Sequence, residues 1–165
     1  MQTPLISILI PFKNTELYLG DCIDSIVKQS YSNWELLIVD DGSTDTSYEV
    51  VKKYTNNENR IHLFKNEGVG IIEALRTGYK HAKGTFVTRM DSDDVMASNK
   101  LEQMQQSLVT YGEGHLALGH VRYFSDEGIG NGYKRYETWL NGLTSKGANF
   151  DEIYKECVIP SPCWM

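Results

Sequence analysis

Three carboxylates fall within four residues at Asp91-Ser92-Asp93-Asp94, directly after the run Gly84-Thr-Phe-Val-Thr-Arg-Met90. At the end of a buried strand such a cluster repels itself unless a cation or an ordered set of donors holds it together. Oxygen-only ligands suit a hard divalent ion such as Mg²⁺ or Mn²⁺. Such an ion keeps water and binds substrate phosphates alongside one or two protein carboxylates. A lone Asp-rich turn is better explained as the cap of the next helix, but here the motif does not stand alone.

A second acidic pair occupies an equivalent place. Trp34-Glu-Leu-Leu-Ile-Val39 reads as a strand and runs into Asp40-Asp41-Gly42-Ser43-Thr44-Asp45. There Ser43 or Thr44 can cap a helix carrying Val50, Val51 and Tyr54 on one face. The first strand, Leu5-Ile-Ser-Ile-Leu-Ile10, ends in Pro11-Phe12-Lys13-Asn14, and Leu19, Cys22, Ile23, Ile26 and Val27 then recur at helical spacing. In an open parallel α/β sheet, ligands bind in the crevice beyond the carboxyl ends of the strands. The three polar strand tips are therefore expected to line one site.

The elements that must position them alternate: strand 5–10, helix 15–29, strand 34–39, helix 44–54, strand 60–64, helix 69–82, strand 85–90, helix 98–111 and strand 116–124. That order predicts right-handed crossovers and a mainly parallel central sheet, an α/β/α sandwich of the Rossmann type. No repeat or linker divides residues 1–165, so one domain is expected. Beyond Phe124, Ser125-Asp-Glu-Gly-Ile-Gly-Asn-Gly132 reads as a Gly-rich connection without the strand–turn–helix context of a phosphate cradle. Tyr133, Tyr136, Trp139 and Leu140 then return at helical spacing, a pattern of packing more than of sugar stacking.

Ile6-Ser-Ile-Leu-Ile-Pro-Phe-Lys-Asn14, the stretch from Gln29 through Trp34 to Asp45, and Arg89-Met-Asp-Ser-Asp-Asp94 resemble, in order and spacing, the nucleotide-sugar half of family 2 glycosyltransferases with the GT-A fold. Asn66-Glu-Gly-Val-Gly70 followed by Ala74-Leu-Arg-Thr-Gly78 resembles that family's segment before its fourth strand. The likeness is loosest at Glu67–Glu73, where the family more often carries small residues.

The resemblance implies a glycosyltransferase that uses a nucleotide-diphosphate sugar, with a uridine nucleotide the expected donor, a glycan or lipid-linked saccharide as acceptor, and inversion at the anomeric carbon. It implies Mn²⁺ or Mg²⁺ held by Asp93, with Asp91 assisting the metal or contacting the ribose beside Ser92. Asp41 would accept the uracil N3–H. Pro11, Phe12, Asn14 and Glu16 would form the first loop around base and ribose, and Arg76 or Arg89 would approach the base or phosphates. Asp94 could instead cap the next helix. The family's catalytic base lies in an acidic pair downstream of a Pro-rich strand that Ile159-Pro-Ser-Pro-Cys-Trp-Met165 resembles. The chain is therefore expected to stop before its base and acceptor wall and to transfer sugar poorly by itself.

The net charge of −6 argues against a nucleic-acid surface, which needs basic residues to neutralise phosphates. An acidic site would also repel a diphosphate without a bridging cation. No run approaches the ~20 apolar residues of a spanning helix, and Met1-Gln-Thr-Pro lacks a signal peptide's character. A cytoplasmic protein, peripheral to the membrane at most, is expected. Cys22, Cys157 and Cys163 read as reduced thiols, and His62, His81, His115 and His120 take ordinary structural places. A phosphoacceptor signalling domain would leave Asp91–Asp94 unexplained, and Pro11-Phe-Lys-Asn14 is not the Gly-x-Gly-x-x-Gly of a nicotinamide-binding domain. The remaining rival is a nucleotide-sugar-binding module without catalysis.

Overall fold

The computed structural model describes residues 3–165. Strands β1 (Ile6–Phe12), β2 (Trp34–Asp40), β3 (Ile61–Lys65) and β4 (Phe86–Arg89) form one parallel sheet in the order β3-β2-β1-β4. All seven residues of β1 and of β2 are buried, as strands covered on both faces must be. Successive side chains alternate between the faces. Ile6, Ile8, Ile10, Leu36 and Ile38 join the main core with Leu19, Cys22, Ile23 and Ile26 of α1 (Leu19–Val27), Val51 of α2 (Ser47–Thr55), and Leu101, Met104 and Leu108 of α4 (Lys100–Tyr111). Leu9, Leu37 and Val39 point the other way, against α3 (Ile71–Lys80). Gly78 permits that close approach, since a Cβ there would lie 3.3 Å from Val39 and 3.5 Å from Leu9.

The eight elements expected up to residue 111 all form, with the largest displacement at α1, which begins at Leu19 and not at 15. The ninth does not form. Residues 116–124 make a single antiparallel bridge, Leu118 to Trp164, flanked by reciprocal backbone bonds between Ala117 and Met165. Further along, helix α5 (Asn131–Lys146) takes the place of a neighbouring strand. Asn141 donates to the Val121 carbonyl at 2.8 Å and accepts from its N–H at 2.9 Å, while Glu137 accepts from the Tyr123 N–H at 2.7 Å. These backbone groups thus find partners without a ladder.

Two expected caps are also corrected. The N–H of Ser47 at the start of α2 is bound by Asp45 Oδ1 at 3.0 Å, because Ser43 and Thr44 are engaged by Asn14. Asp94 does not cap α4, which starts six residues later; Gln29 Oε1 accepts from the Leu101 N–H instead. Among the described residues, no helix is long and apolar enough to cross a membrane.

Candidate functional site

Strand order reverses at β1, whose neighbours are β2 on one side and β4 on the other. A crevice opens at such a switch point because the crossovers on its two sides lead to opposite faces of the sheet. Backbone pairing carries the three tips into register around it. Phe12 lies opposite Asp40, the Asp41 N–H donates to the Phe12 carbonyl at 2.9 Å, and the Met90 N–H donates to the Leu9 carbonyl at 3.0 Å. The Pro11–Asn14 loop therefore sits between Asp41 and the Asp91–Asp94 turn.

Asp41 is half-buried, and its Oδ1 accepts from Asn66 Nδ2 at 2.5 Å and from the Gly70 N–H at 2.9 Å. Asn66 was not among the residues expected from the sequence. Its only sequence signal was its place at the head of Asn66-Glu-Gly-Val-Gly70. Gly70 takes φ 90°, a backbone state that side chains with a Cβ rarely adopt, and this turns its N–H back to Asp41 as α3 begins.

Pro11 and Phe12 are buried at the end of β1. The side chains of Asn14 and Glu16 bind the neighbouring loop. Asn14 Oδ1 accepts from the Thr44 N–H at 2.8 Å, and Glu16 Oε2 accepts from the Thr46 N–H and hydroxyl at 2.9 and 2.6 Å. Asn14 has φ 53°, a left-handed conformation that Asn tolerates and that a tight loop requires here. These two residues weld the β1 and β2 tips into one rim.

At the β4 tip, Arg89 pairs with Asp91, Ser92 is buried, and Asp93 is exposed. Burial pushes Asp94 up to about 6, and the adjacent Asp91 and Asp93 carboxylates add to the rise, against Lys100. The turn is fastened to α1 from beneath. Cys22 Sγ donates to the Asp91 carbonyl at 3.5 Å, Ser25 Oγ accepts from the Met96 N–H at 2.9 Å, and Gln29 donates to the Ala97 carbonyl at 2.7 Å. Arg76 stands apart in an exposed ion pair with Glu73 on α3.

Among the described residues, no three carboxylate, thiol or imidazole side chains converge as a ready-made metal cage. The donors present nonetheless fit a hard cation in kind. Asp91 and Asp93 offer oxygen only, and an ion of the Mg²⁺ or Mn²⁺ class needs one or two protein carboxylates when water and phosphate complete its shell. Burial is the main cause of the rise at Asp94, and the repulsion from Asp91 and Asp93 that adds to it is what a cation would relieve.

The model of glycosyl transferase family 2 matches residues 7–165. The chain belongs to this family. It is 36% identical over 151 residues to "Glycosyltransferase GlyA" of Streptococcus pneumoniae, covering 91% of this chain and 22% of that protein. It is 36% identical over 130 residues to an Escherichia coli protein named UDP-Glc:alpha-D-GlcNAc-diphosphoundecaprenol beta-1,3-glucosyltransferase WfgD, covering 78% of this chain and 50% of that one. The crystal structure of Staphylococcus aureus TarS 1–349 in complex with UDP-GlcNAc superposes with a TM-score of 0.66 at 26% identity, covering 76% of this chain and 37% of that structure. The fold is thus GT-A. The chain spans half or less of the length of each of these proteins.

Proposed function

We propose that this chain is the donor-binding part of an enzyme that transfers a glycosyl group from a uridine-diphosphate sugar to a hydroxyl of a saccharide or lipid-linked saccharide, with inversion. The observation that carries this reading is the switch point at β1, where the Pro11–Asn14 loop lies between the base-type acceptor Asp41 and the acidic turn Asp91–Asp94. That spacing suits a nucleoside at one end and a diphosphate at the other.

In this reading Asp41 accepts the uracil N3–H, and Pro11 and Phe12 form the floor beneath base and ribose. Asn14 and Glu16 keep the rim closed through Thr44 and Thr46. Asp91 and Ser92 lie at the ribose and diphosphate, and Arg89, already next to Asp91, adds positive charge there. Arg76, exposed on α3, swings from Glu73 to meet the nucleotide. A divalent ion held by Asp93 with Asp91 would supply the positive charge that stabilises the departing diphosphate. The acceptor hydroxyl attacks the anomeric carbon as the bond to the diphosphate breaks, and a carboxylate base takes its proton. None of the residues named here is assigned as that base.

Titration calorimetry of UDP in Mn²⁺ and in excess chelator tests the reading. UDP is expected to bind only with the metal, and Asp93→Ala is expected to abolish the dependence. Equal affinity in both conditions would overturn a metal-bridged diphosphate. Asp41→Ala should weaken UDP by about 1.5–3 kcal/mol, the range for a hydrogen bond to a charged group, or roughly ten- to a hundredfold.

A further inference from the structure

We propose that Asn66 is a positioning residue that sets base selectivity by fixing the rotation of the Asp41 carboxylate, one oxygen occupied and the other left for the ligand. This rests on the base-recognition reading of Asp41 and extends it to a residue that makes no contact with the ligand.

The orientation of the Asn66 amide is decided by its surroundings. Its Oδ1 accepts from the Gly68 N–H at 3.0 Å and from the Thr77 hydroxyl at 3.4 Å, so that end of the amide is the oxygen. Nδ2 is thereby turned to Asp41 Oδ1 at 2.5 Å and to the Gly70 carbonyl at 3.2 Å. The backbone is held as well, because the Asn66 N–H donates to the Asp40 carbonyl at 2.8 Å. Thr77, buried on α3, also accepts from the Glu67 N–H at 3.3 Å. The amide is therefore braced by the tip of β2, the 66–70 loop and α3 together.

Both N–H donors reach the same oxygen of Asp41, from Asn66 and from Gly70. Among the described residues, nothing donates to Oδ2. With Oδ1 taken up by two donors, Oδ2 is the oxygen turned out to a ligand, and a carboxylate oxygen there accepts a hydrogen bond. Uracil presents an imide N–H to such an oxygen. Cytosine presents the bare N3 lone pair at the same position, so two acceptors would face each other and one buried acceptor would go unpaired. Fixing the rotation of the Asp41 carboxylate thus favours uridine over cytidine. Releasing it lets the carboxylate turn toward the cytosine amino group and accept from it.

The test is the ratio of UDP to CDP affinity, measured by calorimetry in Mn²⁺ for the wild type, Asn66→Ala, Asn66→Ser and Asp41→Ala. The wild type is expected to prefer UDP by tenfold or more. Both Asn66 variants should lose most of that preference while binding CDP about as well as the wild type does, since the phosphates are held elsewhere. A loss of loop stability would weaken UDP and CDP alike and leave their ratio in place, so the ratio separates positioning from simple support. Asn66→Ser fills the loop with a small polar residue too short to reach Asp41, and it decides the matter if Asn66→Ala does not fold. A wild type indifferent to the base, or Asn66 variants with the wild-type ratio, would overturn the inference. If Asp41→Ala weakens UDP while the Asn66 variants keep the ratio, only the role of Asn66 fails. If Asp41→Ala binds UDP as the wild type does, the base-recognition reading fails with it.

Discussion

Arg89 closes on Asp91: its Nη2 donates to Asp91 Oδ1 at 2.7 Å, and Nε reaches the same oxygen at 3.2 Å. The two residues are two apart at the end of a strand, where side chains share a face. The guanidinium is therefore a built-in counter-ion at an oxygen that the proposed function gives to the metal.

Arg89→Gln is accordingly expected to strengthen Mn²⁺ binding in the absence of nucleotide. The pair is partly exposed, at 20% and 32%, so the gain is small. About two- to fivefold corresponds to the ≤ ~1 kcal/mol of an exposed ion pair. Calorimetric titration of the metal alone checks this, and an unchanged or weaker affinity would show that Arg89 does not compete for the site.

Cysteine reactivity offers an independent check on the packing beneath the acidic turn. Burial pushes the Cys22 thiol up to about 12, with Asp94, Asp93 and Asp91 contributing, and burial likewise pushes Cys163 up to about 11. Cys157 is exposed. At pH 8 a disulfide reagent should titrate one thiol quickly in the native chain and all three in denaturant, because the thiolate is the reacting form. Fast reaction of Cys22 would mean that α1 does not seal the turn.

The strand tips were legible because two strong patterns coincide there. The fully apolar run Leu36–Val39 demands burial on both faces and leads directly into Asp40 and Asp41, while Asp91 closes the β-branched stretch Phe86–Met90. What was not legible depends on partners distant in sequence. Asn66 meets Asp41 across 25 residues, through an amide that leaves no periodic trace. Asn14 and Glu16 carry the charge and polarity of ligand contacts, yet the 44–46 loop occupies their side chains. The alternation in 116–124 is real, since the amides of Gly119, Val121 and Tyr123 are bonded at every second residue. Periodicity cannot reveal that α5 side chains supply two of those partners.

That substitution of side chains for a strand can be tested at Asn141. Asn141→Leu removes both partners of Val121 at once and leaves a partly buried N–H and C=O to water. An unpaired buried group costs about 1–3 kcal/mol. Partial access to solvent places the expected loss at the low end, about 1 kcal/mol, read as a lower urea midpoint at unchanged slope. Asn141→Asp keeps only the acceptor and should lose less. Equal stability of Asn141→Leu and wild type would mean that the 119–123 segment is held by other contacts.

Lys100 gives stability a distinctive dependence on pH. It opens α4 and donates to the Pro162 carbonyl, and burial holds its ammonium down to about 8, against the attraction of Cys163 and Asp94. The unfolded value is 10.5. Below pH 8 both states carry the proton, and the fold bears the whole cost of burying the charge. Between about 8 and 10.5 only the unfolded chain keeps the proton, so this group makes stability rise with pH, by at most about 1.4 kcal/mol per unit for one proton. Cys22 and Cys163 act in the opposite direction above pH 9, because their folded values lie above the ordinary one and the unfolded chain ionises first. The clean window is therefore pH 8–9. Urea midpoints taken across it should climb less in Lys100→Met than in the wild type, and the difference between the two slopes isolates this lysine. Parallel slopes would show that Lys100 keeps an ordinary affinity for its proton and that its ammonium stays solvated where it meets Pro162.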